Sequence, residues 1–230
     1  MKTIGILGGM SWESTSLYYQ ILNDETKNAL GGLNSAKILL SSVNFAEIAE
    51  LQHNNDWASL ADLLANEAQK LAIAGADFLV IATNTMHKLV PEIQARCTLP
   101  ILHIADKTAE AIVEAGHKKV AFIGTRFSME SDFYVERLSS NYNLEVLTPN
   151  KQDREIVHTV IYNELCRGKI SADSKQHYLE IIDKLRSQGA QCVIAGCTEI
   201  TLLIEQQDLS IPLFDTTEIH AKAAVRFALS

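Results

Sequence analysis

Two short stretches concentrate the residues that could do chemistry. IAGCTEI, residues 194–200, runs from an apolar segment into Cys197, Thr198 and Glu199. VIATNTMH, residues 80–87, runs from a similar segment into Thr83, Asn84 and Thr85. Aligned, they set Cys197 opposite Thr83. A thiol in a polar turn that opens toward a helix is expected to be stabilised as a thiolate, below its ordinary value of about 8.5. Such a thiolate serves as a base or a nucleophile, whereas a Thr hydroxyl in the same place donates a hydrogen bond or relays a proton. The pair reads as one acid/base site between the halves of a doubled chain. The other cysteines read as packing residues: Cys192 within an apolar strand, Cys97 in a loop, Cys166 on a helix face.

The elements that must position these turns alternate regularly. Strands are expected at Thr3–Leu7, Lys37–Ser42, Phe78–Ala82, Ile101–His103, Val120–Ile123, Glu145–Leu147, Cys192–Ala195 and Leu213–Phe214. Helices are expected at Ser14–Asn28, Trp57–Ala74, Lys107–Ala115, Ser131–Asn141, Arg154–Cys166, Ser174–Gln188, Glu199–Ile204 and Thr217–Ala228. Leu60, Leu63, Leu64, Ala68 and Leu71 form a helical apolar stripe. The strands are β-branched runs with little alternation, the pattern of parallel strands covered on both faces. The fold class expected is α/β, with parallel sheets flanked by helices.

Three blocks recur in the same order. IGILG at residue 4 matches VAFIG 116 residues on, GADFLVIAT at 75 matches GAQCVIAGC 114 on, and LPIL at 99 matches IPLF 112 on. A nearly constant offset implies two similar α/β domains, 1–108 and 109–218, with a last helix over 219–230 that crosses back onto the first. Parallel α/β units bind ligands at the carboxyl ends of their strands. The matched turns there, GGMSW with GTRFS and TNTMH with CTEI, offer N–H and hydroxyl donors suited to carboxylates.

Composition narrows the partners. The chain has 230 residues, 47% of them hydrophobic, and a formal net charge of −8 with no Lys/Arg cluster. This suits a folded chain with substantial cores and disfavours nucleic acid or an anionic membrane. No apolar run reaches the ~18 residues of a membrane span, and MKTIGILGGM lacks the features of a signal peptide, so a cytoplasmic location is expected. The cysteines and histidines show no metal-ligand spacing, and the first half lacks a complete GxGxxG. His87 and His103 fall near the strand-end turns, while His53, His117, His158 and His177 are expected at the surface.

GGMSWEST (8–15), NTMH (84–87), HIAD (103–106), GTRFSME (124–130) and GCTE (196–199) together resemble the aspartate/glutamate racemase family over essentially the whole chain. The resemblance is nearest to bacterial members acting on L-aspartate and L-glutamate. It implies two α/β domains with the site between them, no pyridoxal phosphate and no metal, and a homodimer as the usual assembly. In that family two cysteines flank the α-carbon, one removing its proton and the other returning one from the opposite face. Cys197 matches the second-domain cysteine. Thr83 stands where the first-domain cysteine is usual, and there the sequence departs from the family pattern. A hydroxyl holds no anion near neutral pH, so three outcomes are open: racemisation biased toward L-substrates, one-base isomerisation or decarboxylation of a small carboxylic acid, or binding of a dicarboxylate without turnover.

The same resemblance implies the remaining contacts. Asn84, Thr85, Thr198 and Glu199 match substrate-amine and carboxylate contacts, although Asn and Thr after a strand also cap helices. Met10 and Ser11 would offer donors from the first turn, and Thr125 and Ser128 from its counterpart. Gln52, in the loop ELQHNN, stands where the family often has a basic residue for the distal carboxylate. Arg167 or Lys169 would then supply the positive charge, the alternative being a solvated helix end.

Overall fold

The computed structural model describes residues 1–230, apart from the side chain of Asp132. The chain divides into two compact units, Met1–Ile104 with His220–Ser230, and Ala105–Ile219.

The first unit contains β1 (Ile4–Gly8), α1 (Trp12–Leu30), β2 (Ile38–Ser42), α2 (Phe45–His53), α3 (Trp57–Ile73), β3 (Phe78–Ile81), a 3-10 turn at Thr85–Leu89 and α4 (Val90–Arg96). Its parallel sheet has the order β2-β1-β3. Strands β1 and β3 are buried throughout. Their β-branched and leucine runs therefore face apolar layers on both sides, which is why they do not alternate. One layer is α3, whose Leu60, Ala61, Leu64, Ala65, Ala68 and Leu71 form the buried stripe. Asp56 caps that helix by accepting from Ser59 N at 3.0 Å.

Several segments differ from the expected elements, among them α4, which no expected helix covers, and two more. Ile101–His103 is no strand: it makes one parallel bridge, Leu79 to Ile101. Pro100 lends only its carbonyl there, to Leu79 N at 2.8 Å, and α5 (Ile104–Glu114) starts directly after His103. Conversely, the polar segment containing ELQHNN is mostly helix, α2, which buries Ile48 and Gln52 four residues apart on one face.

The second unit holds most of α5, then β4 (Lys119–Gly124), α6 (Arg126–Met129), α7 (Asp132–Tyr142), β5 (Glu145–Leu147) and α8 (Lys151–Asn163). A 3-10 turn at Leu165–Arg167, α9 (Ala172–Ser187), β6 (Cys192–Gly196), α10 (Ile200–Leu203) and β7 (Leu213–Asp215) follow. Its parallel sheet has the order β5-β4-β6-β7. The last helix, α11 (Thr216–Leu229), begins in this unit and ends in the first. In the first unit its Ala221, Ala224, Val225 and Ala228 pack with Ile4, Ile6 and Tyr18, and Ala228 O accepts from Lys2 N at 2.8 Å. Among the described residues, no helix is long and apolar enough to cross a membrane.

Candidate active site

The two chemically rich turns sit at equivalent places, each at the carboxyl end of an inner strand. In the first unit β1 and β3 run in register, Leu7 beside Ile81, so the turn after β1 lies next to the turn holding Thr83. Gly9 makes the first turn possible: its φ is 85°, and a Cβ there would run into the backbone of Val43. Ser11 is buried and caps α1, accepting from Ser14 N at 3.3 Å. Ser14 Oγ in turn donates to Ala82 O at 3.3 Å, joining α1 to the strand end. Met10 packs into the apolar core, so only its backbone is left to serve a ligand.

Thr83 is partly exposed, while Asn84, Thr85, Met86 and His87 after it are buried. Gln52 lies on α2 rather than in a loop. It is 3% exposed, and its Oε1 accepts no hydrogen bond among the described residues. An unmet buried acceptor is costly, which marks this amide as a group with unused bonding capacity.

The second unit repeats the plan. Gly124 of β4 pairs with Gly196 of β6, so the turns that begin at Thr125 and Cys197 start side by side. Thr125 caps α6 as Ser11 caps α1, accepting from Ser128 N at 3.3 Å, with its hydroxyl 3.1 Å from Ser128 Oγ. The Cys197 side chain is partly exposed, whereas Gly196, Thr198 and Glu199 around it are buried. Its Sγ donates to Glu199 Oε2 at 3.0 Å.

The surroundings of the thiol reverse the expected titration. Burial pushes the Cys197 thiol well above its ordinary range, and the Glu199 carboxylate and the Cys166 sulfur push it further up. The helix that should have favoured a thiolate, α10, is four residues long and preceded by an acid. The surroundings of Cys197 thus favour the thiol over the thiolate, and the sulfur has a proton acceptor in contact with it. Cys192, within β6, is an inert core thiol that burial raises to about 12.

The other expected contacts divide. Thr198 accepts from Thr217 Oγ1 at 3.3 Å and from Thr201 Oγ1 through its carbonyl at 3.0 Å, ties that hold the turn in shape. Arg167 and Lys169 are exposed and flank Gly168, whose φ is 68°. Cys166, one residue before Arg167, acts electrostatically on Cys197, so this loop borders the thiol.

Three aromatic residues of this neighbourhood escaped the sequence reading. The half-buried Tyr162 and the fully buried Tyr178 are both raised by burial first and then by Cys197 and Glu199. His158, expected at the surface, is buried on α8, its ring 4.7 Å from that of Tyr162 and its Nδ1 accepting from Arg126 N at 3.3 Å. The apolar neighbours Val157 and Ile161 share its buried face and were the available signal. Among the described residues, no group of His, Cys, Asp and Glu could hold a metal ion.

Known proteins give this geometry its context. The model of the Asp/Glu/hydantoin racemase family matches residues 7–224. The chain belongs to that family. It is accordingly an amino-acid racemase, an isomerase. A candidate Asp/Glu racemase from Yersinia pestis is 53% identical, with full coverage of both chains and a TM-score of 0.94. An aspartate racemase homologue from Pyrococcus horikoshii is 34% identical, again over the whole of both chains, with a TM-score of 0.87. The broad specificity amino-acid racemase RacX of Bacillus subtilis is 25% identical over 96% of each chain.

Proposed function

We propose that this racemase interconverts the enantiomers of aspartate and glutamate without a cofactor, with Cys197 and Thr83 on opposite faces of the α-carbon and a bias toward the L-substrate. The observation that carries this reading is the matched pair of turns: a thiol and a hydroxyl, each partly exposed among buried neighbours at equivalent strand ends, with a carboxylate on the thiol.

The chemistry follows from the pair. Glu199 accepts the thiol proton, and the substrate ammonium offsets the negative charge left at sulfur. A thiolate whose conjugate acid is weak is a strong base, which suits removal of a proton from a carbon beside a carboxylate. The electron pair left on carbon spreads into that carboxylate, where Ser11, Thr125 and Ser128 hydroxyls and the turn N–H groups stabilise it. Asn84 and Thr85, with Thr198 beside the thiol, complete the contacts to the amino acid's own ammonium and carboxylate. Return of a proton from Thr83 to the opposite face forms the new C–H bond; the hydroxyl then recovers a proton from solvent and Glu199 releases the one it took, so the site returns to its starting state.

The bias has the same origin. From the L-isomer the strong base abstracts and the hydroxyl donates; from the D-isomer the hydroxyl would have to abstract, a far weaker base near neutral pH. Gln52 and one of Arg167 or Lys169 would receive the distal carboxylate. The four cysteines, which form no disulfide among the described residues, fit a reducing cytoplasm, and a homodimer is the assembly expected for a member of this family. Chiral chromatography of L- and D-aspartate and L- and D-glutamate, with purified protein and no additive, tests the reading. Inversion that is faster from the L-isomers and absent in Cys197→Ala supports it. Inversion that survives in Cys197→Ala refutes it.

A further inference from the structure

Thr83 has both backbone polar groups tied down. Its N–H donates to Ile81 O at 2.8 Å. Its carbonyl is 2.8 Å from Nδ1 of His87, one 3-10 turn further on. The other ring nitrogen of His87, Nε2, accepts from the N–H of Ile104 at 3.2 Å, the first residue of α5. These two bonds fix the tautomer: Nε2 faces a donor and must be bare, so the proton sits on Nδ1 and is given to Thr83 O.

The ring is locked by more than its own bonds. His87 is 1% exposed and stands edge-on to His103 at 4.7 Å and to His220 at 5.7 Å between ring centroids. His220 comes from α11 and is itself oriented, by Tyr18 Oη at 2.8 Å on Nδ1 and by Leu102 O at 2.7 Å on Nε2. Three elements thus converge on an imidazole whose job at the near end is to hold one carbonyl. The turn after β6 is held differently. The residue four beyond Cys197 is Thr201, which bonds back to Thr198 O, while Cys197 O takes the helical N–H of Ile200.

We propose that His87 is a positioning residue for Thr83, a neutral imidazole protonated on Nδ1 that pins the Thr83 carbonyl and so sets the direction of its hydroxyl. The inference rests on the reading of Thr83 as the proton donor of one face. With N–H and C=O both fixed, the side chain keeps only χ1, and a β-branched residue has few χ1 choices. A thiol, longer and more easily ionised, tolerates a looser turn; a hydroxyl that must donate along one line does not.

The test separates positioning from structural support. The variants are His87→Leu, which removes the donor to Thr83 O, and His87→Asn, whose amide N–H lies near the position of Nδ1. Starting from L-aspartate or L-glutamate in deuterated water, two rates are followed by NMR: formation of the D-isomer, and deuterium entering the retained L-isomer through Cys197. The expected result for His87→Leu is a fall in inversion of at least about tenfold with deuterium entry kept within about twofold, and recovery of most inversion in His87→Asn. Equal loss of both rates in His87→Leu, or unchanged inversion, overturns the proposal. Should that variant not fold, ¹⁵N NMR of the unmodified protein decides. A bare Nε2 and protonated Nδ1 on His87 are expected, and the opposite tautomer overturns the inference. Absence of both inversion and exchange in the unmodified protein would instead refute the reading of Thr83 as proton donor, and the positioning role with it, whatever the tautomer.

Discussion

Glu199→Gln isolates the carboxylate's share of the thiol's high affinity for its proton. In the folded protein the Cys197 sulfur lies 3.0 Å from Glu199 Oε2, so ionising the thiol places two negative charges in contact. At an effective dielectric of about 20, like charges about 4 Å apart repel by about 4 kcal/mol. Water reaching the partly exposed sulfur reduces this repulsion, and the amide still accepts the S–H bond, so the thiol is expected to titrate lower in the variant. Burial, the largest cause of the upward push on this thiol, remains in the variant. The assay is the rate of Cys197 alkylation against pH, read on its own peptide by mass spectrometry to exclude Cys97, Cys166 and Cys192. Alkylation needs the thiolate, so the rate rises as pH climbs through the thiol pKa, and the midpoint should move to lower pH in the variant. An unchanged or higher midpoint would refute the argument that the carboxylate raises the thiol. Turnover should fall all the same, since the amide cannot accept the thiol proton and the thiolate becomes a weaker base.

Three further substitutions probe other parts of the site. Thr83→Cys should raise inversion of the D-isomer relative to the L-isomer by about tenfold or more, measured by chiral chromatography in both directions, because a thiolate can abstract where a hydroxyl cannot. Of Arg167→Gln and Lys169→Gln, the one that removes the distal contact should raise KM about 10- to 100-fold with little change in kcat, the equivalent of a charged hydrogen bond of about 1.5–3 kcal/mol. Gly196→Ala would set a Cβ 2.8 Å from Phe122 Cζ and 2.9 Å from Ile123 O. Overpacking of this kind costs about 1–3 kcal/mol, so thermal unfolding should show a lower Tm at about 2–4 °C per kcal/mol, with a loss of kcat as the neighbouring Cys197 shifts.

What could be read from the sequence was whatever burial writes into residue types. Strands β1, β3, β4 and β6 carry unbroken apolar runs because both of their faces are covered, and the same runs mark the internal repeat. The positions of Thr83 and Cys197 came from the repeat as well. Helix α2 stayed hidden because it needs only a narrow buried face: Ile48 and Gln52 are its buried residues, and one of them is polar. His158 was misplaced for a related reason, since α8 carries charge on its outer side and the histidine shares the inner side with Val157 and Ile161. The direction of the Cys197 titration was missed by weighing a helix end above a carboxylate two residues away. A short α10 cannot offset an acid in hydrogen-bond contact with the sulfur. The ring contacts of His87 reach residues 103 and 220, and His220 is held in turn by Tyr18, separations that no local pattern reports.

The central claim is that Cys197 and Thr83 serve opposite faces of one α-carbon. Its most direct test is the fate of the α-hydrogen when L-aspartate or L-glutamate is turned over in deuterated water, with Cys197→Ala as control. The account predicts that D-product carries deuterium at the α-carbon from the first turnovers, that the remaining L-substrate gains it more slowly than product forms, and that the control does neither. Deuterium filling the L-substrate with no D-isomer formed would contradict it, showing that Cys197 both removes and returns the proton while Thr83 delivers none.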